Sequence, residues 1–298
     1  MNILVTGAWQ GYQACKEELH KAGHETVFLQ WEKDPLPVEP EWVEGIIGNG
    51  IFLSHPIEKF TNLRYIQLTS AGFDRVPMKY VTEHNITIKN ARGVYSIPMA
   101  EYALGGVLQL YKQFPAFAIS QSKHEWNKIR TVREINQSTV CIVGCGSVGT
   151  ECAKRFKVFG AKVIGVDLFP REDVNYHSMT GLDNLDEVLK DADIIVMTVP
   201  FTEETDKLMN RNRMMLLKDD AILVNMARGG VMDYNDFIAL KNEGRKIQAV
   251  LDVFEQEPLD DESTLWDMKG VIVTPHNSFV GNGNQNRLND LIMNNLEN

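Results

Sequence analysis

The chain has 298 residues, 44% hydrophobic and 23% charged, with 40 acidic against 30 basic side chains and a formal net charge of −10. That length accommodates two domains with substantial cores. The acidic balance, without any Lys/Arg cluster, argues against a nucleic-acid partner and means that an anionic ligand needs a locally positive pocket.

The start, Met1-Asn2-Ile3-Leu4-Val5, reads directly as a strand rather than as a basic region followed by an apolar leader, and no apolar run is long enough to span a bilayer. A cytoplasmic protein without a membrane partner is therefore expected. Cys15, Cys141, Cys145 and Cys152 form no CxxC pair, and reduced structural thiols are expected.

Residues 2–90 alternate between short apolar strands and helical spacing. Strands are predicted at 2–5, 26–29, 45–47, 65–68 and 87–89, and a helix at 13–21 closed by Gly23. This alternation implies an α/β domain with a parallel sheet. The turn Gly7-Ala8-Trp9-Gln10-Gly11 lacks a second closely spaced glycine and an acid closing the next strand, so it reads as a plain turn. His20 and His24 have metal-like spacing, but Gly23 breaks the helix between them, so no metal site is expected.

Pro98 opens a long helical run with Met99, Tyr102, Ala103, Val107, Leu108 and Leu110 on one face, and a domain crossing is placed here. Beyond it, strands are predicted at 139–143, 162–166, 194–198, 222–225, 247–251 and 271–273, with helices around 183–189 and 233–242. The segment 290–298 reads as a helix returning to the first domain.

The second half is organised around its first strand, Thr139-Val140-Cys141-Ile142-Val143, which runs into Gly144-x-Gly146-x-x-Gly149. An amphipathic helix and a second strand ending at Asp167 follow. This strand–turn–helix–strand–acid layout is that of a dinucleotide site. Gly144 permits the tight turn, Gly146 the approach of a pyrophosphate, and Gly149 close seating of the helix, whose N-terminus presents N–H groups to phosphates. Asp167 can accept from a ribose diol and would repel a 2′-phosphate, which favours NAD over NADP.

In such a sheet, ligands lie at the C-terminal strand ends. Three late strands end in Arg228, in Glu257 and in His276. Singly, these residues read as a surface ion pair, a solvated turn and a satisfied histidine. Together, downstream of a dinucleotide turn, they suit reduction of a 2-oxo acid. The planar donor fork of Arg228 can bind carboxylate and carbonyl. An imidazole titrating near neutrality can protonate the carbonyl oxygen, and a carboxylate beside it favours the imidazolium.

With residues 144–149, 199–205, 225–230, 251–259 and 274–276 in this order, the chain resembles the D-isomer-specific 2-hydroxyacid dehydrogenase family over nearly its whole length. The resemblance implies two Rossmann-like or flavodoxin-like parallel-sheet domains. The NAD-binding domain, 99–278, would be inserted in a discontinuous substrate domain, 1–98 plus 279–298, with hinges near Pro98 and Ser278. It implies Arg228, Glu257 and His276 as the catalytic trio. For the cofactor it implies Gly144, Gly146, Ser147, Val148, Gly149, Asp167, Pro200, Thr205, Ala227 and Asp252, the last near the nicotinamide amide.

For the substrate, the resemblance implies a loop from Ser70 to Asp74, in which backbone donors of Ala71 and Gly72 receive the carboxylate, with Tyr95 facing the substrate and Arg228 beside it. Homodimers built through the helix after Pro98 are usual in the family. The chain departs from the family pattern at Asn277-Ser278-Phe279, at residues 91–97 and in its early end. Trp126 reads as an exposed or interfacial aromatic, or as a cap on the pocket.

The residues leave alternatives beside an NADH-linked reductase. Arg171, four residues past Asp167, would suit an NADPH-linked glyoxylate or hydroxypyruvate reductase. A non-enzymatic dinucleotide-sensing protein would need the glycine turn but not the trio.

Overall fold

A computed structural model describes residues 1–297. The chain divides into two compact units, Met1–Tyr95 with the segment from Gly281 onward, and Ser96–Val280. Both units are built on parallel sheets.

The first unit carries β1 (Asn2–Thr6), β2 (Glu25–Leu29), β3 (Gly45–Gly48), β4 (Tyr65–Leu68) and β5 (Thr87–Lys89), in the order β2-β1-β3-β4-β5. Ile3, Leu4 and Val5 of the central strand are fully buried, as a strand covered on both faces requires. Their side chains alternate: Leu4 joins a cluster with Ile46, Phe60 and Ile66, while Ile3 and Val5 join Trp9, Tyr12 and Leu19. Helices α1 (Tyr12–Lys21) and α2 (Met78–Glu83) belong to this unit.

The C-terminal helix Asn284–Glu297 packs on the α1 side through Leu288 and Ile292. Asn289 Oδ1 accepts from Trp9 Nε1 at 2.7 Å, and Arg287 Nε donates to the Val94 carbonyl at 2.7 Å. The helix begins six residues before the start expected at residue 290 (290 − 284 = 6). Its first turn, Asn-Gln-Asn-Arg, carries no apolar residue, so the stripe that marks it begins only at Leu288.

At the C-terminal edge of this sheet, Glu32 fills the crevice between β1 and β3. Its carboxylate accepts from Thr6 Oγ1 at 2.8 Å and from the backbone N–H groups of Asn49 and Gly50, each at 2.7 Å. The protein's own carboxylate thus occupies the place where an open sheet of this order would take a ligand.

The second unit orders its strands β12-β11-β10-β9-β6-β7-β8. They are β6 (Thr139–Val143), β7 (Lys162–Val166), β8 (Ser178–Thr180), β9 (Ile194–Met197), β10 (Ile222–Asn225), β11 (Gln248–Leu251) and β12 (Val271–Val273). Helices α3 (Ser96–Tyr111), α4 (Phe114–Ser122), α5 (Ser147–Val158), α6 (Leu185–Asp191), α7 (Arg211–Leu216) and α8 (Tyr234–Asn242) accompany them. The short edge strand β8 has no predicted counterpart, because three residues, Ser-Met-Thr, carry too little apolar pattern to mark it.

Chain direction across the sheet reverses at β6, which pairs with β7 on one side and β9 on the other. The crevice at the C-terminal ends of β6 and β9 is therefore the topological switch point. α3 lies against this sheet so closely that a side chain at Gly106 would meet Val250 Cγ1 at 2.7 Å. α3 begins at Ser96, two residues before Pro98, since a proline is tolerated within a first helical turn. Among the described residues, no helix is long and apolar enough to cross a membrane.

Candidate active site

The glycine turn follows directly from the packing of β6 against α5. Gly144 sits at φ +95°, and a Cβ there would lie 2.8 Å from the Val199 backbone nitrogen. At Gly149 a Cβ would lie 2.1 Å from the Gly144 carbonyl oxygen, so α5 can seat this closely only with glycine. At Gly146 an added Cβ would meet nothing within 4 Å, which leaves the backbone open to an incoming group. α5 starts here without a side-chain cap, so its first-turn N–H groups and positive dipole end suit a pyrophosphate. Ser147 Oγ lies 2.7 Å from Ser96 Oγ.

Asp167, at the end of β7, reaches back to this turn. Its Oδ2 accepts from Cys145 N at 2.6 Å and its Oδ1 from Phe169 N at 3.0 Å. The carboxylate therefore fixes the glycine turn, and its remaining lone pairs are those left for a ribose diol. Arg171 Nη2 donates to the Cys145 carbonyl at 2.8 Å. The turn is thus held at the N–H of Cys145 by an acid and at its carbonyl by a cation. The Cys145 thiol points inward, and burial pushes it up to about 12.

Across the switch point, Thr205 Oγ1 donates to the Pro200 carbonyl at 2.7 Å and accepts from Thr202 N at 2.8 Å, closing the turn that follows β9. Pro200 is exposed and Thr205 buried. Val148 is half-buried in the first turn of α5.

Three adjacent strand ends carry the trio. After β10, buried Asn225 accepts from Ala227 N at 3.2 Å and donates to the Arg228 carbonyl at 3.2 Å and to Tyr234 Oη at 3.0 Å. Ala227 is buried in this turn, and Arg228 Nη1 donates to the Ala227 carbonyl at 2.8 Å. Gly229 follows because a Cβ there would lie 2.0 Å from the Phe254 carbonyl carbon. The loop after β10 thus packs directly on the loop after β11, and Tyr234 joins the two by donating to the Val253 carbonyl. Asn225 opens the stretch 225–230 that carries the resemblance, whereas Tyr234 lies outside every such stretch and nothing in the sequence singles it out.

After β11, Glu257 turns back so that Oε1 accepts from Phe254 N at 3.0 Å while Oε2 faces His276 Nδ1 at 2.7 Å. His276, after β12, is in the left-handed region at φ +50°. Its backbone N–H donates to the Asp252 carbonyl at 2.8 Å, and its ring meets Phe279 edge-on at a centroid distance of 5.9 Å. With Nδ1 committed to Glu257, Nε2 is the nitrogen left for a substrate.

Asp252 is fully buried. Its Oδ1 accepts from Thr274 Oγ1 at 2.6 Å and Asn277 N at 2.8 Å, and its Oδ2 from Ser278 N at 2.8 Å. The side chain that the resemblance associated with the nicotinamide amide is thus engaged in building the turn around His276.

In the first unit, Ala71 is exposed and Gly72 half-buried in the loop after β4. The Ala71 carbonyl accepts from Asn90 Nδ2 at 2.6 Å and the Gly72 carbonyl from Ser70 Oγ at 3.1 Å. The Tyr95 hydroxyl donates to the Thr69 carbonyl in the same loop, and burial raises its phenol above the ordinary value.

Residues 104–278 match the family model for the NAD-binding domain of D-isomer specific 2-hydroxyacid dehydrogenases, a stretch that contains the glycine turn and all three strand-end residues. The chain belongs to the D-isomer-specific 2-hydroxyacid dehydrogenase family. It is 32% identical to a D-lactate dehydrogenase of Staphylococcus aureus over 232 residues, which cover 73% of this chain and 70% of that one. It is 35% identical to a D-3-phosphoglycerate dehydrogenase of Methanocaldococcus jannaschii over 222 residues, 74% of this chain but only 42% of that relative's length. The crystal structure of D-lactate dehydrogenase from Aquifex aeolicus, complexed with NAD and lactic acid, superposes with a TM-score of 0.81 at 25% identity and covers 99% of this chain and 94% of that one. NAD is accordingly the cofactor of the second unit, and the open glycine turn and uncapped α5 fit it.

Proposed function

We propose that the protein reduces small 2-oxo acids to D-2-hydroxy acids with NADH. The observation that carries this reading is the 2.7 Å pair between His276 Nδ1 and Glu257 Oε2, at the strand ends of an NAD-binding domain of this family. Bound NADH supplies the hydride. Gly144, Gly146, Ser147, Val148 and Gly149 would hold its pyrophosphate, and Asp167 its adenosine ribose. Pro200, Thr205, Ala227 and Asp252 would border or support the rest of its cleft.

The chain's own chemistry is proton donation and charge stabilisation. Glu257 faces Nδ1 and orients the imidazole, so that Nε2 gives its proton to the carbonyl oxygen as the carbon is reduced. Arg228 holds the substrate through its guanidinium and stabilises the negative charge that grows on that oxygen. The proposal assigns substrate-carboxylate binding to the backbone N–H groups of Ala71 and Gly72, with Tyr95 facing the substrate, and a substrate role to the first unit.

A homodimer is part of the same proposal. α4 buries none of its side chains, and Phe114 and Ile119 on it are 55% and 57% exposed. A cytoplasmic location accords with four free, buried cysteines. Asp167 on the glycine turn favours NADH, and Arg171, whose guanidinium holds the Cys145 carbonyl, is a basic group there for the alternative reductant NADPH to meet.

The test is NADH consumption with a panel of pyruvate, glyoxylate, hydroxypyruvate and branched 2-oxo acids, with NADPH in parallel. Turnover of at least one of them is expected, and none with folded protein would refute the reading.

A further inference from the structure

The turn that carries His276 is braced from α3. Tyr102 donates its hydroxyl to Thr274 Oγ1, and Thr274 donates its only proton to Asp252 Oδ1 at 2.6 Å. The direction is forced by the donor count: a threonine hydroxyl has a single proton, so with that proton given to the carboxylate the phenol must be the donor to Thr274. Burial pushes the Tyr102 phenol up to about 12, so it keeps that proton throughout the neutral range.

Asp252 then takes the backbone N–H groups of Asn277 and Ser278, and its own carbonyl takes that of His276 at 2.8 Å. Every residue from Thr274 to Ser278 that has a backbone N–H and follows Pro275 is therefore tied to Asp252, with His276 at φ +50° in the middle. A left-handed conformation at a non-glycine residue is disfavoured and persists only where its surroundings impose it. The chain Tyr102–Thr274–Asp252 is part of those surroundings.

We infer that Tyr102 is a positioning residue for His276, acting through Thr274 and Asp252 to hold the imidazole against Glu257. The inference rests on the reading of His276 as the proton donor. The phenol touches neither His276 nor Glu257 among the contacts described, so its effect is on the geometry of the donor rather than on the chemical step itself.

The experiment compares Tyr102→Phe, Thr274→Val, Thr274→Ser and the Tyr102→Phe/Thr274→Val double variant in the full-length chain. The readouts are kcat, KM for the 2-oxo acid, NADH affinity and amide hydrogen exchange at Asn277 and Ser278. Loss of one hydrogen bond in Tyr102→Phe should lower kcat about three- to tenfold and speed exchange at those two amides. KM, NADH affinity and exchange in β10 should be unchanged.

Thr274→Val should cost more, Thr274→Ser should stay near wild type, and the double variant should be no worse than Thr274→Val, because the two hydroxyls act in series. Wild-type kcat and exchange in Tyr102→Phe, additive losses in the double variant, or exchange rising throughout β10 to β12 would each overturn the inference. If the wild-type protein reduces no 2-oxo acid, the functional reading fails. Exchange at Asn277 and Ser278 then decides separately whether Tyr102 braces the turn.

Discussion

His276 Nδ1 lies 2.7 Å from Glu257 Oε2, and the other oxygen of that carboxylate is held by the backbone N–H of Phe254 at 3.0 Å. The ring is thus oriented by a carboxylate that is itself held by the backbone. Both side chains are partly open to solvent, at 41% and 36%. The pair is therefore an orienting device rather than a source of stability.

Glu257→Gln keeps the shape but replaces the carboxylate that faces His276 Nδ1 with a neutral amide. We expect kcat to fall ~10²-fold, in line with the lower range for general acid catalysis. NADH binding should not change. Steady-state rates beside fluorescence titration of NADH check this, and an unchanged kcat would remove Glu257 from the proton-donating unit.

Arg228→Lys retains a cation but loses the planar fork, and Arg228→Gln loses both. kcat/KM should fall in that order, with the glutamine variant down ~10²–10³-fold, the scale of losing one donor to a developing oxyanion. Wild-type kcat/KM in Arg228→Lys would show that the fork geometry is irrelevant, and equal losses in the two variants would show that the retained cation contributes nothing.

Asp167→Ala releases the Cys145 N–H from a charged acceptor that now holds it at 2.6 Å. The expected cost is about 1.5–3 kcal/mol of stability, as for a hydrogen bond to a charged group, together with weaker NADH binding. The ratio of NADPH to NADH affinity should rise, because the negative charge facing a 2′-phosphate is gone while Arg171 remains. Urea unfolding and titrations with both cofactors measure these effects, and unchanged NADH affinity would confine Asp167 to a purely structural role.

Asp233 caps α8, accepting from Asp236 N at 3.1 Å, and pairs with Lys207 at 2.9 Å. The Lys207 ammonium holds its carboxyl below the ordinary carboxylate value. A depressed folded-state value means that the contribution is present above the unfolded value, near 3.9, and disappears as pH falls through the lower folded value. Asp233→Asn keeps the cap and removes this titration. Its stability should therefore fall less steeply than wild type below about pH 4. Urea midpoints across that range test the sign.

All four cysteines are buried and free, and burial raises each thiol, Cys145 and Cys152 up to about 12. Native protein should resist alkylation at pH 8, and all four should react once it is unfolded. Mass spectrometry counts the adducts, and rapid native labelling of Cys145 would contradict its inward orientation.

What was legible in the sequence was what is local. The glycine turn, its flanking strands and the three strand-end residues each show within a few consecutive positions, because periodicity and turn chemistry act at that range. Asp167 was legible as an acid ending a strand, but its hold on Cys145 N depends on how tightly the turn folds back. The Glu32 tie between β1 and β3, the Tyr234 link between two loops and the Tyr102–Thr274–Asp252 brace join residues far apart in the chain. No local pattern announces them. The polar start of the C-terminal helix was hidden for the opposite reason, since four helical residues without an apolar face leave no periodic mark.

The most direct measurement is the turnover of wild-type protein and His276→Ala with NADH and the 2-oxo acid panel, with NADH affinity measured in both. The account predicts that wild type forms a D-2-hydroxy acid, while His276→Ala binds NADH equally well and loses ~10²–10⁴-fold in kcat, the range of general acid catalysis. Equal turnover by the two proteins would contradict it.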